Sequence, residues 1–235
     1  MNATNRAIFT SYALSQMPKE ACALLIAVDG NERLILCRNI SPHENAFEIH
    51  PDDYVRAENT GKIIKIIHSH VYIPATPSEV DQVACEASFV PWEILSVPTL
   101  QWASCEPNGF RAPHIGRQWA HGVLDCYSLI RDVYKDELKI EIPDFEREFE
   151  WWLNGKNLYL DNFEKAGFVS IATDHLLKYD IILMQIMSPV ANHGAIYLGD
   201  DLILHHLYRR LSTRDVYGGY YKKHTVRCLR HMELV

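Results

Sequence analysis

The period of the apolar positions changes along the chain, and the changes mark out elements. Residues 6–17 read as a helix that stops before Pro18. Two strand-like runs follow, Cys22–Val28 and residues 33–38, with the hairpin signal Asp29-Gly30-Asn31 between them. Residues 62–69 contain four isoleucines and predict another strand. Ser78 opens a helical stretch through Ala87, and residues 92–97 are strand-like ahead of Pro98. The order α, β, β, β, α, β predicts an α/β sandwich. Residues 105–117 hold two prolines and two glycines and follow neither period. They divide the chain into a first domain over residues 1–106, a linker over 107–116 and a second domain over 117–235. In the second half, apolar residues at 126, 129, 130, 133 and 134 predict a helix from Asp125 to about Leu138. Residues 145–154 read as a polar, solvated helix with an apolar edge at Trp151-Trp152, and residues 157–166 as a second short helix. Strands are expected at Phe168–Ile171 and over residues 180–186, 193–198, 202–206 and 225–230. Helices followed by a run of strands predict an α+β domain.

Composition narrows the class. Of 235 residues, 48% are hydrophobic and 23% charged, which excludes a disordered tail, a collagen-like repeat and a coiled-coil rod. Lys+Arg number 23 against 30 Asp+Glu, a net charge of −7, so there is no basic field for nucleic acid. The longest apolar run, residues 21–28, falls short of the roughly 18 residues that span a bilayer, and no secretion signal is visible. The expectation is a soluble protein made in the cytosol. The six cysteines are scattered without a CxxC pair. Five read as reduced structural thiols and Cys126 stands apart.

Two constellations carry chemistry. In IIHSHVYIPATPSEVD, His68 and His70 sit two apart on a strand, so both imidazoles share a face, and Asp81 follows on the helix opened by Ser78. Two histidines and a carboxylate with an open fourth position match a catalytic zinc, with a separate carboxylate as base. The HxHx7SxxD pattern resembles the JAMM metalloprotease family over about the first 100 residues. The resemblance implies zinc on His68, His70 and Asp81, Glu20 as general base and Ser78 polarising the substrate carbonyl. Val71 replaces the family's usual proline after the second histidine.

The second constellation is HGVLDCYSLIRDVY with NHGAIYLGDDLILHH downstream. Cys126 begins a helix with Asp125 as N-cap, where the positive helix end favours thiolate. His193 opens a strand and could act as base, with a third polar group to orient it. A three-residue turn at 199–201 would put His205 on the face of His193, whereas a two-residue turn would put His206 there. The region, about 116–231, resembles the NlpC-type cysteine peptidases, papain-like in fold. That resemblance implies Cys126 as nucleophile, His193 as base and His205 as the third residue. Tyr127-Ser128 departs from the family's Ser-Gly, and Lys178-Tyr179-Asp180 from its Pro-Gly-Asp. His193 is followed by Gly-Ala, which inverts the usual small-residue position.

The two domains in this order, with GRQWAHGVLDCY at 116–127 and IRDVY at 130–134, resemble the tail assembly protein K family of lambda-like phages over nearly the whole chain. This implies a role in tail-tip assembly alongside other tail-tip proteins, in the host cytoplasm during assembly and at the virion tail tip. It also implies cutting of γ-D-glutamyl–diamino acid bonds in peptidoglycan peptides. Two other readings are a structural tail-tip component with vestigial sites, and a maturation protease that processes tail proteins.

Overall fold

The computed structural model describes residues Met1–Val235 and divides them into two units, Met1–Arg111 and Ala112–Val235. In the first, α1 (Ala3–Gln16) begins three residues before the predicted start, because the side chain of Asn2 caps it by accepting the Asn5 N–H. The sheet contains β1 (Cys22–Val28), β2 (Asn31–Cys37), β3 (Lys62–His70), β4 (Trp92–Ser96) and β5 (Gln101–Cys105), in the order β2-β1-β3-β4-β5. Only β3 and β4 are parallel, joined through α3 (Glu79–Ser88). The central strand β1 reads as a continuous apolar run because it is covered on both sides. Ala23 and Leu25 pack with Phe9 and Ala13 of α1, while Cys22, Leu24 and Ile26 pack with Ala57, Ile66, Cys85 and Trp92.

Two elements here are absent from the sequence reading. The helix α2 (Pro51–Thr60) is polar along most of its length, and its Asp53 is turned inward to accept from the backbone N–H, Nε and Nη2 of Arg38. The strand β5 lies at the edge of the sheet and is half exposed, so it lacks an apolar run.

In the second unit, α4 (Cys126–Val133) runs on into a single π turn, Tyr134–Leu138, so the helix predicted over 125–138 changes winding partway. The sheet is antiparallel throughout. It contains β6 (Phe168–Ile171), β7 (Ile181–Met184), β8 (His193–Gly199), β9 (Leu202–His205), β10 (Thr213–Val216) and β11 (Thr225–His231), in the order β10-β9-β8-β7-β11-β6. Leu129, Ile130, Val133 and Tyr134 pack on Ile181, Leu183, Ile196, Leu204 and Leu229. The short α5 (Leu158–Asn162) covers only the start of the helix predicted over 157–166. The strand β10 and α6 (Gly219–His224) were not predicted.

The helix expected over 145–154 does not form. Only a 3₁₀ turn, Trp151–Asn154, is present, and Trp151 is buried (3% exposed) instead of edging a solvated helix. The cause is local. Glu150 and Gly155 take left-handed φ of 53° and 73°, and Arg147 is drawn inward onto Asp125. No helix of either unit is long and apolar enough to cross a membrane.

Candidate functional sites

The first site forms where the end of β3 meets the N-terminus of α3. Strand alternation puts His68 and His70 on the face of Ile66, which α3 covers. Ser78 caps α3 and Asp81 is its third residue. Ser78 Oγ accepts the Asp81 N–H, while Asp81 Oδ2 accepts from the Ser78 N–H and hydroxyl, both at 2.7 Å. Asp81 Oδ1 lies 3.3 Å from His68 Nε2, and Oδ2 lies 3.2 Å from His70 Nε2. All three donor groups are buried, and their ligand atoms lie within 4.8 Å of one another.

Proton placement shows what fits there. His70 Nδ1 is 2.6 Å from the Pro74 carbonyl, which can only accept, so Nδ1 carries the hydrogen. Burial alone would lower His70, but Asp81, the Pro74 carbonyl and Glu20 outweigh it and push the ring upward; in its neutral form Nε2 is a bare lone pair facing Asp81, and in its charged form a donor to it. Burial alone would raise the Asp81 carboxyl, but His68, His70 and the Ser78 amide outweigh it and hold the group well below the usual range. Burial pushes His68 downward, towards its neutral form. His68 is fully buried, stacks on Phe47 with ring centroids 4.6 Å apart, and has no hydrogen-bond partner at Nδ1, while its Nε2 meets Asp81 alone. An orphaned imidazole nitrogen is costly in a dry interior. Ligands around a tetrahedral zinc stand about 3.3 Å apart; the two histidine–carboxylate separations are close to that and the whole set lies within 4.8 Å, so these residues are compatible with a metal ion of this kind. Glu20 lies just before β1 and is 4% exposed. Burial pushes its carboxyl up to about 8, Asp81 pushes the same way and His70 opposes. Ser78 spends its hydroxyl hydrogen on Asp81.

The second site gathers around the start of α4. The Asp125 side chain caps the helix, accepting from the Ser128 N–H and hydroxyl on Oδ1 and from the Gly122 N–H on Oδ2. Arg147 Nε donates to Oδ2 at 3.0 Å, and both side chains of this pair are 7% exposed. The Cys126 thiol lies 3.1 Å from the Tyr159 hydroxyl, and α4 packs against β8 at Gly194, one residue beyond His193. Burial raises the thiol, Asp125 adds to the rise, and the Tyr159 and Gly194 hydrogen bonds and Arg147 only partly offset it. A Cβ at Gly194 would stand 2.8 Å from Ile130 Cδ1 and 3.4 Å from the Tyr159 hydroxyl. Glycine therefore lets α4 and α5 close onto the strand.

His205 shares the face of His193, by a route the turn argument did not contain. Gly199 pairs with Leu202, a two-residue turn through Asp200 and Asp201, both at positive φ. A bulge at Leu198 restores the parity, so Ala195 opposes His205. His193 Nε2 is 3.1 Å from His205 Nδ1, and both rings are buried. Burial, with the charges of His205 and His206, pushes His193 down to about 3. His206 faces away and bonds the Arg210 carbonyl. Beyond His205, its Nε2 is 3.0 Å from Asp215 Oδ2, which also accepts from the Tyr221 hydroxyl at 2.9 Å. Tyr159, Asp215 and Arg147 were missed from sequence. Asp215 lies on the unpredicted β10, and Arg147 lies where a solvated helix was expected.

A family model of the NlpC/P60 family matches residues 115–230, and one of prokaryotic homologs of the JAB domain matches residues 3–109. Tail tip assembly protein K of Escherichia phage N15 is 32% identical over 228 residues, covering 95% of this chain and 93% of that protein. Tail tip assembly protein K of Escherichia phage lambda is 39% identical over 182 residues, covering 77% of this chain and 88% of that protein. An NlpC/P60 family crystal structure from Bacillus cereus ATCC 10987 aligns at a TM-score of 0.37 with 13% identity, covering 94% of this chain and 66% of that one. That likeness is too slight to build on. The matches cover 93% and 88% of the two relatives, this chain carries the JAB-like domain ahead of the NlpC/P60 domain, and the chain belongs to the tail tip assembly protein K family of lambda-like phages.

Proposed function

We propose that this chain works in tail-tip assembly and carries two peptidase sites. Cys126, His193 and His205 form an endopeptidase for γ-D-glutamyl–diamino acid bonds of peptidoglycan peptides. His68, His70, Asp81 and Glu20 form a zinc-dependent JAB-type protease. Its partners are other tail proteins, met in the host cytoplasm during assembly and at the virion tail tip. The observation that carries the thiol reading is the buried His193–His205 pair, bonded at 3.1 Å, on the strand that packs at Gly194 against α4, the helix that Cys126 opens.

The resting dyad is a neutral thiol and a neutral imidazole, since burial raises one and lowers the other. Reaction requires the thiol to leave Tyr159 and pass its proton to His193 as sulfur attacks the carbonyl carbon. The S–C bond forms, the C–N bond breaks, and the amine leaves with the proton held by His193. Water, deprotonated by His193, then releases the acid and restores the thiol. The Cys126 N–H, at the start of α4, is a donor for the oxyanion.

At the first site, His68 Nε2, His70 Nε2 and Asp81 would hold zinc, which supplies Lewis acidity towards an amide carbonyl. Ser78 holds the Asp81 carboxylate through two hydrogen bonds. Glu20, raised by burial into the neutral range, is suited to take up and return a proton.

The tests are separable. Soluble wall peptides should be cut by the wild type and not by Cys126→Ala. Elemental analysis should find about one zinc per chain, lost in His68→Ala/His70→Ala. A co-expressed tail protein whose processing disappears with His68→Ala would move the first site to maturation. The raised Cys126 thiol favours a second reading, a purely structural tail-tip component. That reading stands if neither substitution alters any product while assembly still needs the chain.

A further inference from the structure

We infer that Asp215 is a positioning residue of the thiol site, fixing the proton of His205 on Nε2 and, through it, that of His193 on Nε2. Its part in catalysis rests on the peptidase reading of Cys126. The placement of the protons rests on the two contacts of His205, with Asp215 ionised and His205 neutral.

The chain of contacts has one direction. An ionised carboxylate only accepts, so the 3.0 Å contact between His205 Nε2 and Asp215 Oδ2 puts a hydrogen on Nε2. A neutral imidazole has one N–H, so His205 Nδ1 must accept. The 3.1 Å contact with His193 Nε2 therefore draws its hydrogen from His193. His193 is then left with a bare Nδ1, the nitrogen needed to take the thiol proton. Without Asp215, His205 could carry its hydrogen on Nδ1 and donate to His193 Nε2. That would put the His193 hydrogen on Nδ1 and abolish the base.

The fold supports this use of Asp215. Thr213 pairs with His205 and Asp215 with Ile203, so Asp215 is the diagonal neighbour of His205 on the same face. The Tyr221 hydroxyl donates to the same oxygen at 2.9 Å, and its ring meets the His205 ring edge-on at 5.0 Å. The groups around His205 are His193 on β8, Asp215 on β10, Tyr221 on α6 and Arg210 in the β9–β10 connection. Burial alone would raise the Asp215 carboxyl, but His205 and Tyr221 outweigh it and keep the group ionised. Burial, against the pull of Asp215, keeps His205 neutral.

The test uses the full chain labelled with ¹⁵N-histidine. Two-bond ¹H–¹⁵N spectra near neutral pH read the tautomer of each ring directly. In the wild type, His205 and His193 should both show a protonated Nε2 and a bare Nδ1. Asp215→Ala should leave His205 a mixture of tautomers and lower kcat on wall peptides on the order of tenfold with KM unchanged. Asp215→Glu, which returns a carboxylate to a half-exposed position, should restore both. A wild-type His205 protonated on Nδ1 overturns the inference without any variant. So does an Asp215→Ala protein with unchanged rings, whether its rate falls or not. If the wild type cuts no wall peptide, the peptidase reading fails, and the ring spectra still decide the placement of the protons.

Discussion

Replacing Arg147 by alanine should destabilise the second unit by about 3 kcal/mol, the lower end of the range for a broken buried ion pair. Arg147 and Asp125 are each 7% exposed and 3.0 Å apart, so solvent screens the pair little. The guanidinium makes five hydrogen bonds, to Asp125, Asp144, the Phe145 and Gly122 carbonyls and the Ser128 hydroxyl, and it lies over the Tyr127 ring. Its removal strands a buried carboxylate. The Gly122 and Ser128 amides and the Ser128 hydroxyl remain to that carboxylate, which is why the lower end applies. Acid adds a second signature. Burial alone would raise the Asp125 carboxyl, but Arg147 and the two amides hold it below its ordinary value. Its contribution is therefore complete above the unfolded value of about 3.9 and is lost as pH falls through the folded one. Without Arg147, burial dominates and the folded value rises above the unfolded one. The variant should then recover towards the wild type as pH falls below about 5. Urea unfolding followed by exchange of the Gly122 and Ser128 amides measures the difference at each pH. A loss below about 1 kcal/mol, or one equally large at pH 7 and pH 4, would refute the reasoning.

Gly61→Ala should cost about 1–3 kcal/mol, because the new Cβ would stand 2.5 Å from the Ala27 carbonyl oxygen, a backbone atom that cannot swing aside; equilibrium unfolding of the first unit checks it. Wall-peptide cleavage should show no acid limb near pH 6.5, because burial holds His193 at about 3, and should climb above pH 8 as the raised thiol ionises. A bell with its acid limb between pH 6 and 7 would contradict both shifts. Chelation should lower the thermal midpoint of the wild-type first unit and leave His68→Ala/His70→Ala unmoved. Scanning calorimetry with and without added zinc decides that.

Local chemistry carried most of what could be read from the sequence. His68 and His70 share a face because a strand repeats every two residues, and Asp81 joins them because Ser78 caps a helix three residues earlier. Both facts are written within fourteen residues. The face of His205 was not decidable this way. A two-residue turn alone would have turned the histidine away, and the bulge at Leu198 reversed that outcome. Bulges depend on how two strands meet, which spacing does not record. Asp215 was invisible for a related reason. The strand β10 is mostly exposed, short and at the sheet edge, and its one functional side chain gains meaning only opposite His205. Residues 145–154 misled because charged residues ordinarily mark a solvated face, whereas Arg147 is inside.

Each site stands at a helix N-terminus, but the two caps act in opposite senses. In α3 the cap is a neutral serine, and the ionised group is Asp81 itself, so the helix end and the capping hydrogen bonds both favour the charge the site needs. In α4 the cap is a carboxylate. Asp125 opposes ionisation of the neighbouring Cys126 and cancels part of what the helix end offers. Arg147 answers Asp125, so the residue that makes the cap tolerable in the interior is also one that lowers the thiol. Stability and reactivity are joined at this pair. Arg147→Ala should therefore slow alkylation of Cys126 at pH 8 as well as loosen the unit. Asp125→Asn, which keeps a capping oxygen and removes the charge, should speed alkylation. If both variants altered stability and neither altered the alkylation rate, the pair would be a staple with no hold on the sulfur.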